Sequence, residues 1–470
     1  MTDTGPISNP DRQPLFPLKL SDFEYYMFAD DRPSHPMVFA MTVAVAGELR
    51  RKELTLAIND SIRDNPLLAC LIADTADQGW SWVPLESHTP AVEWNHFAQT
   101  EDFSEVSARI IDLTQSAGLE VQVDATPNAA RIVFHLHHAC CDGIGALQFI
   151  GEVMARYGCF TAGPDDKRPQ FVPRNIEQLR LRNQFSSAGT QRSRIGRISR
   201  AVAKVSRLLL RRPVTLMKVS NVSDAANQHD RATAGILRFA ELPSEFTRGL
   251  SIAAQKQKVS VNDLCILEML LLIHDWRESQ GDLSGRSWLR VAVPLSMRSK
   301  EHEAMPAANL VSYAFVTRRA SECRDPNQLI ASIHEQTGDL LFMREGIVAL
   351  KCLRFFRSVP LGMKMFLELK SCFCTVVLAN VGTIRRRFEG RFPTEDGLWK
   401  AGNVRITSIN GAAPVRRNTH VAVSIGDYGG MLRINLRADN HVMTPEQASQ
   451  FLSEYVGRLT VVAGPHCSDP

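Results

Sequence analysis

The chain has 470 residues, 44% of them hydrophobic, a formal net charge of +4 and 10 cysteines. Such a length and apolar content support a large buried core spread over two or three domains. The charge excess is too small to signal a nucleic-acid partner, and ten irregularly spaced cysteines do not form a secreted disulfide framework, so a reduced, cytoplasmic setting is expected.

In chain order, the polar start Met1-Thr2-Asp3-Thr4-Gly5-Pro6 carries no signal-peptide pattern. Periodicity then predicts a strand over 36–45, an amphipathic helix over 51–65, a strand over 129–138 and a helix over 145–157, all in a first domain, residues 1–170. Residues 171–234 are rich in Arg, Ser and Gln and read as a linker with one helix in it. A second domain, 235–470, opens with a strand, continues with a buried-looking helix over 262–276 capped by Asn262 or Ser260, and then a strand over 288–293. Residues 420–439 alternate on either side of a glycine turn, which signals a hairpin, and 445–462 read as a closing helix. No apolar run reaches the roughly 18 residues of a membrane span. The nearest are Cys372 to Val381 and Leu264 to Ile273.

The linker helix is basic. Between Arg192 and Arg212 there are eight basic residues and no acidic one. Ile195, Ile198, Val202, Val205 and Leu209 form one stripe, and Arg197, Arg200, Lys204, Arg207 and Arg211 form another about 200° around the helix. Such a helix can lie on an anionic membrane or lipid-droplet surface, peripheral to the inner face, or pack its apolar stripe on its own domain with the arginines solvated. A second stretch, Lys351 to Pro360 and Met363 to Leu367, shares the basic and apolar mixture.

The chemistry is concentrated in His137-His138-Ala139-Cys140-Cys141-Asp142-Gly143, at the end of the strand that runs through Arg131-Ile132-Val133-Phe134-His135-Leu136. An imidazole near neutral pKa can take a proton from a hydroxyl or amine, the carboxylate can hold its loop, and glycine permits a sharp turn. On a strand, adjacent histidines point to opposite faces. His137 and His138 therefore cannot share one metal ion; His135 and His137 share a face and could chelate, but no metal is expected. The competing reading is a pair of core histidines satisfied by hydrogen bonds. Cys140 and Cys141 suit loop packing better than nucleophilic attack, and no Gly-x-Ser-x-Gly elbow is present.

His-His-x-x-x-Asp-Gly resembles the motif of the acyltransferase superfamily that holds peptide-synthetase condensation domains and chloramphenicol acetyltransferase. The chain looks most like the bacterial wax ester synthase/diacylglycerol acyltransferase branch. Supporting segments are Pro17-Leu18-Lys19-Leu20-Ser21-Asp22, Arg32-Pro33-Ser34-His35-Pro36-Met37, Asp64-Asn65-Pro66-Leu67-Leu68, Val259-Ser260-Val261-Asn262-Asp263, Val293-Pro294-Leu295-Ser296-Met297-Arg298, Asn309-Leu310-Val311-Ser312 and Leu378-Ala379-Asn380-Val381-Gly382. Two departures from the branch, Ala379 for Ser and Gly382 for Pro, bear on substrate choice.

The resemblance implies an α/β (α+β) fold of two chloramphenicol acetyltransferase-like subdomains, each a mixed sheet flanked by helices, in a V-shaped pseudo-dimer around a tunnel. It also implies transfer of a fatty acyl group from acyl-CoA to a long-chain alcohol or diacylglycerol, with no cofactor beyond that co-substrate and no acyl-enzyme. His138 is then the base, His137 and Gly143 shape its loop, and Asp142 pairs with Arg298. Asn380 stands near the tunnel as an oxyanion donor. Asn262 and Asp263 cap a helix, with a catalytic role second. The alternative within the superfamily takes the acyl group from a carrier-protein thioester to an amine or a natural-product hydroxyl.

Overall fold

A computed structural model describes residues 14–85, 90–103, 106, 109–185, 210–218, 235–281, 283–369, 372–388 and 390–464. The first half runs β1 (Leu18–Lys19), α1 (Asp22–Asp30), β2 (Val38–Ala46), α2 (Arg51–Asp64), β3 (Cys70–Thr75), β4 (Gly79–Pro84), β5 (Val92–His96), β6 (Leu119–Ala125), β7 (Ala129–His137) and α3 (Gly143–Thr161). The second begins with β8 (Ile236–Leu242), α4 (Ser244–Gln257), α5 (Val261–Ser279), β9 (Trp288–Ser296), β10 (Val311–Arg319), α6 (Pro326–Thr337), α7 (Asp339–Ser358) and α8 (Gly362–Leu367). It ends with β11 (Val376–Thr383), β12 (Thr394–Glu395), β13 (Leu398–Ala401), β14 (Val404–Ala412), β15 (Val421–Tyr428), β16 (Met431–Ala438) and α9 (Pro445–Ala463).

Two mixed sheets flanked by helices form the body. The second has the order β10-β9-β11-β15-β16-β8, with β11 parallel to both of its neighbours. The first has the order β12-β13-β14-β2-β7-β6-β5. Its strands β12, β13 and β14 come from residues beyond the second sheet's β11, so the chain crosses from the second half back to the first before β15. Strand β14 runs antiparallel to β2, with Arg405 opposite Ala46 and Ala412 opposite Ala40. Position 235 therefore separates the two halves along the chain but not the two sheets. The larger core cluster follows the crossover: Val43, Phe134 and Phe149 are packed together with Ala308, Leu310 and Ile406. The other cluster gathers Phe246, Ile266, Val291, Ile434 and Phe451. Each such side chain removed from water contributes roughly 1.5–3 kcal/mol.

Local signals set the element ends. In the expected hairpin, Tyr428 pairs with Met431 across Gly429 (φ 63°) and Gly430 (φ 80°), the two-residue turn whose left-handed positions suit glycine. Helix α5 is capped by Ser260 rather than Asn262. Ser260 Oγ accepts from the Asp263 amide at 3.0 Å while Asp263 Oδ2 accepts from the Ser260 amide at 2.8 Å, a reciprocal capping box.

The expected basic helix between Arg192 and Arg212 lies outside the described residues except for its last three. There Arg211 stacks on the Trp288 ring at 4.6 Å and its carbonyl accepts from Arg290 Nη2 at 2.7 Å. Near the other end of the linker, buried Arg182 donates through Nε to Glu24 Oε1 at 2.7 Å. Among the described residues, no helix is long and apolar enough to cross a membrane.

Candidate active site

The two adjacent histidines end β7 in opposite environments. The His138 amide donates to Met37 O at 2.7 Å, and the Cys140 amide donates to His137 O at 2.9 Å, which turns the chain toward α3. The His137 side chain is fully buried, and its Nδ1 accepts from the Ala139 amide at 3.1 Å. That places its hydrogen on Nε2, which lies 3.7 Å from Asp31 Oδ1. The same Asp31 oxygen accepts from the Met37 amide at 2.7 Å. His137 is thus a locked part of the turn.

His138 lines a cavity of about 570 Å³ reached by both halves of the molecule. Its ring sits between Phe39 (centroids 5.1 Å apart) and Phe23 (6.4 Å). Nδ1 is shut off from solvent with no partner in hydrogen-bond geometry, and the backbone carbonyl accepts from Asn309 Nδ2. Burial holds its pKa below the ordinary 6.5, against the opposing pull of its own backbone and of Asp142. The imidazole is therefore neutral, and able to accept a proton, at neutral pH.

Asp142 also borders the cavity, but its carboxylate oxygens are spent on fastening the loop. Its side chain caps α3, Oδ1 accepting from the Gly145 amide at 2.8 Å. Oδ2 accepts from Arg298 Nη1 at 2.7 Å and from the Leu310 amide at 2.8 Å. Burial pushes this carboxyl up, but the Arg298 guanidinium and the two amides overcome it and hold the pKa below the usual carboxylate value of 3.8. Arg298 also donates to Ala308 O at 3.1 Å. One ion pair thereby ties the histidine loop to the segment between β9 and β10.

The structure puts the need for glycine at Gly145 rather than at Gly143, where the sequence reading expected it. Gly143 starts α3 without a left-handed φ, and a Cβ there meets no atom within 4 Å. Its turn does not need glycine; the missing side chain leaves open space at the cavity wall. A Cβ on Gly145 would stand 3.0 Å from Ala308 O and 3.2 Å from Arg298 Nη2, so the clamp needs glycine there. Gly145 and Asn309 were both in sight as sequence. Only the fold shows that one admits the clamp and the other holds the His138 carbonyl.

Of the remaining expected residues, Asn262 and Asn380 line the cavity. Asn380 Oδ1 accepts from the Gly382 amide at 2.9 Å, at a bulge in β11 where Gly382 has φ 66°. Proline, fixed near −65°, cannot adopt that angle, so this backbone admits Gly382 and not the proline that the resemblance led one to expect there. Asp263 is turned to its own half, where Thr337 Oγ1 donates to it at 2.5 Å and His334 Nδ1 lies at 2.8 Å. It takes no part in the cavity lining. His135 is buried with neither ring nitrogen partnered, and burial lowers its pKa to about 4. Cys140 and Cys141 are fully buried, and burial raises both thiols well above 9.0, which disfavours a thiolate nucleophile. Cys140 packs where Gly118 leaves room for its sulfur.

No family model matches the chain. Over 453 residues it is 23% identical to the uncharacterized protein Rv2305 of Mycobacterium tuberculosis, covering 93% of this chain and 98% of that one. Over 145 residues, 30% of this chain and 34% of the relative, it is 25% identical to a phthiocerol/phthiodiolone dimycocerosyl transferase of Mycobacterium leprae. Among solved structures, the trichothecene 15-O-acetyltransferase of Fusarium sporotrichioides superposes with TM-score 0.66 at 12% identity, covering 94% of each chain. The starter condensation domain of rhizomide synthetase, in a complex with C8-CoA and Leu-SNAC, gives 0.63 at 13% identity, covering 96% and 95%. The chain has the two-subdomain fold that these condensation domains and acetyltransferases share.

Proposed function

We propose that the chain is an acyltransferase that moves a fatty acyl group from acyl-CoA to the hydroxyl of a long-chain alcohol or diacylglycerol. The observation that carries this reading is a neutral, partly accessible imidazole, His138, set in an apolar cavity that both halves line. With Nδ1 sealed, Nε2 is the nitrogen left to act. It takes the acceptor's hydroxyl proton as that oxygen attacks the thioester carbonyl carbon. The C–O bond forms, the C–S bond breaks, and the proton held on Nε2 passes to the leaving thiolate. Asp142 and Arg298 position the loop and do not touch substrate. Asn380, which lines the cavity, offers its side-chain amide to the developing oxyanion in this reading.

The lining of the cavity supports this. Met27, Met37, Phe39, Leu147 and Ile409 give an apolar lining suited to an acyl chain. Arg387 lines the cavity, and its chain neighbours Arg385 and Arg386 are exposed as it is, a run of cations that suits the phosphates of CoA. Exposed Phe355, Leu361 and Met365 with Lys351 and Lys364 give a surface that can rest on anionic lipid. The fold shared with condensation domains favours a second reading, in which a carrier-protein thioester donates to an amine or natural-product hydroxyl.

Purified protein offered a panel of acyl-CoAs, carrier-bound thioesters, alcohols, diacylglycerol and amines, with products read by mass spectrometry, separates the two. Esters formed from acyl-CoA without carrier support the first reading. Products that require the carrier, or amides alone, replace it with the second. No acyl transfer from any donor to any acceptor contradicts both.

A further inference from the structure

A second cluster of reactive side chains lies away from the cavity, where two turns from opposite halves meet. The first turn is Arg32 to His35, closed by the His35 amide donating to Arg32 O at 3.0 Å and bracketed by Pro33 and Pro36. The second follows β16: the Asp439 carbonyl accepts from the Val442 and Met443 amides at 3.2 and 3.0 Å, and Asp439 Oδ1 accepts from the His441 amide at 2.9 Å. Across the junction His35 Nε2 lies 3.2 Å from Asp439 Oδ2, and His441 Nδ1 lies 2.8 Å from Asp439 Oδ1. The two imidazoles stack, with centroids 5.2 Å apart and planes 23° apart, so that both present a nitrogen to one buried carboxylate.

We propose that His35, Asp439 and His441 form a binding site for a divalent transition-metal ion of the zinc type, which fastens the two halves of the molecule together. The donor set is two imidazoles and one carboxylate, with a fourth position for water. Bonds of roughly 2.0–2.1 Å at the tetrahedral angle set ligand atoms about 3.3 Å apart. Here His35 Nε2 is 3.2 Å from one Asp439 oxygen and His441 Nδ1 is 2.8 Å from the other, and one ligand atom from each of the three residues lies within 4.8 Å of the others, so a small closing of the cluster admits the ion. With the ion on His35 Nε2 and His441 Nδ1, the ring hydrogens stand on His35 Nδ1, where Ser34 Oγ at 3.0 Å accepts it, and on His441 Nε2.

The site bears on the candidate active site through two residues of chain. His35 precedes Met37, whose carbonyl holds the His138 amide at 2.7 Å. In the same corner Arg437 Nη1 donates to Val38 O at 2.8 Å, a direct bond from the second half to the start of β2.

The test strips the full-length protein with chelator, adds Zn²⁺ alone, and reads bound metal per chain together with thermal unfolding; Co²⁺ then reports geometry by its visible absorption. The expected result is one ion per chain, a higher unfolding temperature and tetrahedral Co²⁺ bands. Asp439→Asn and the partly exposed His441→Gln should each lose uptake, and Ser34→Ala should weaken it about 10-fold. His274→Gln, in the surface group His274, Asp275 and Glu278, should leave it unchanged. Failure of the wild-type chain to take up an ion, or equal uptake by folded His441→Gln, overturns the proposal.

Discussion

The starts of helices α3 and α5 use the same chemistry for different ends. Each carries a buried aspartate whose carboxylate closes the first turn and is held below its ordinary pKa. Asp263 spends its remaining bonds on His334 and Thr337 of α6, within its own half. Asp142 instead reaches Arg298 and the Leu310 amide, outside its own loop, and stands four residues from an imidazole that opens on the cavity. The two carboxylates differ in what they fasten: Asp263 ties elements of its own half, whereas Asp142, through its ion pair, ties the His138 loop to the segment between β9 and β10.

The contrast can be broken most severely at the imidazole. His138→Ala should lower turnover on the order of a hundred- to ten-thousand-fold with the fold intact, whereas His137→Ala should act chiefly on folding, because its ring bonds only the turn. Steady-state kinetics beside circular dichroism checks both; equal, mild effects contradict the assignment. Next in size is Arg298→Met, which strands a buried carboxylate and should cost about 3–5 kcal/mol in denaturant unfolding. Gly145→Ala, which crowds Ala308 and Arg298, should cost about 1–3 kcal/mol in the same experiment. Gly143→Ala should leave stability near wild type while altering the chain-length preference read from product masses. The smallest effect on turnover belongs to the other helix: Asp263→Ala, stripped of its capping box, should cost about 1–2 kcal/mol of stability and leave turnover at saturating substrate nearly unchanged.

Legibility followed the range of the interactions. The run from His137 to Gly143, the hairpin at Gly429-Gly430 and the helix starting after Ser260 are set by neighbours a few residues apart, and periodicity with turn chemistry finds them. The pairing of β14 with β2 joins residues far apart along the chain, and the alternation within 404–412 says only that a strand exists, not which sheet it joins. Asn309 is polar in an apolar stretch, a signal for a buried partner, yet only the fold supplies the His138 carbonyl. The pairing of His35 with Asp439, 404 residues apart, has no local signal. Gly143 was legible as a glycine and misread in purpose: the open cavity wall, not the backbone angle, accounts for it.

The central claim is that His138 acts as a base through a ring kept neutral by burial, and the pH dependence of kcat/KM for acyl transfer tests it most directly. The account predicts an acid limb whose apparent pKa lies below 6.5, since activity persists until the depressed pKa of His138 is crossed and falls as the ring takes a proton. An acid limb at or above 6.5, or the same limb surviving in the residual activity of His138→Ala, would contradict it.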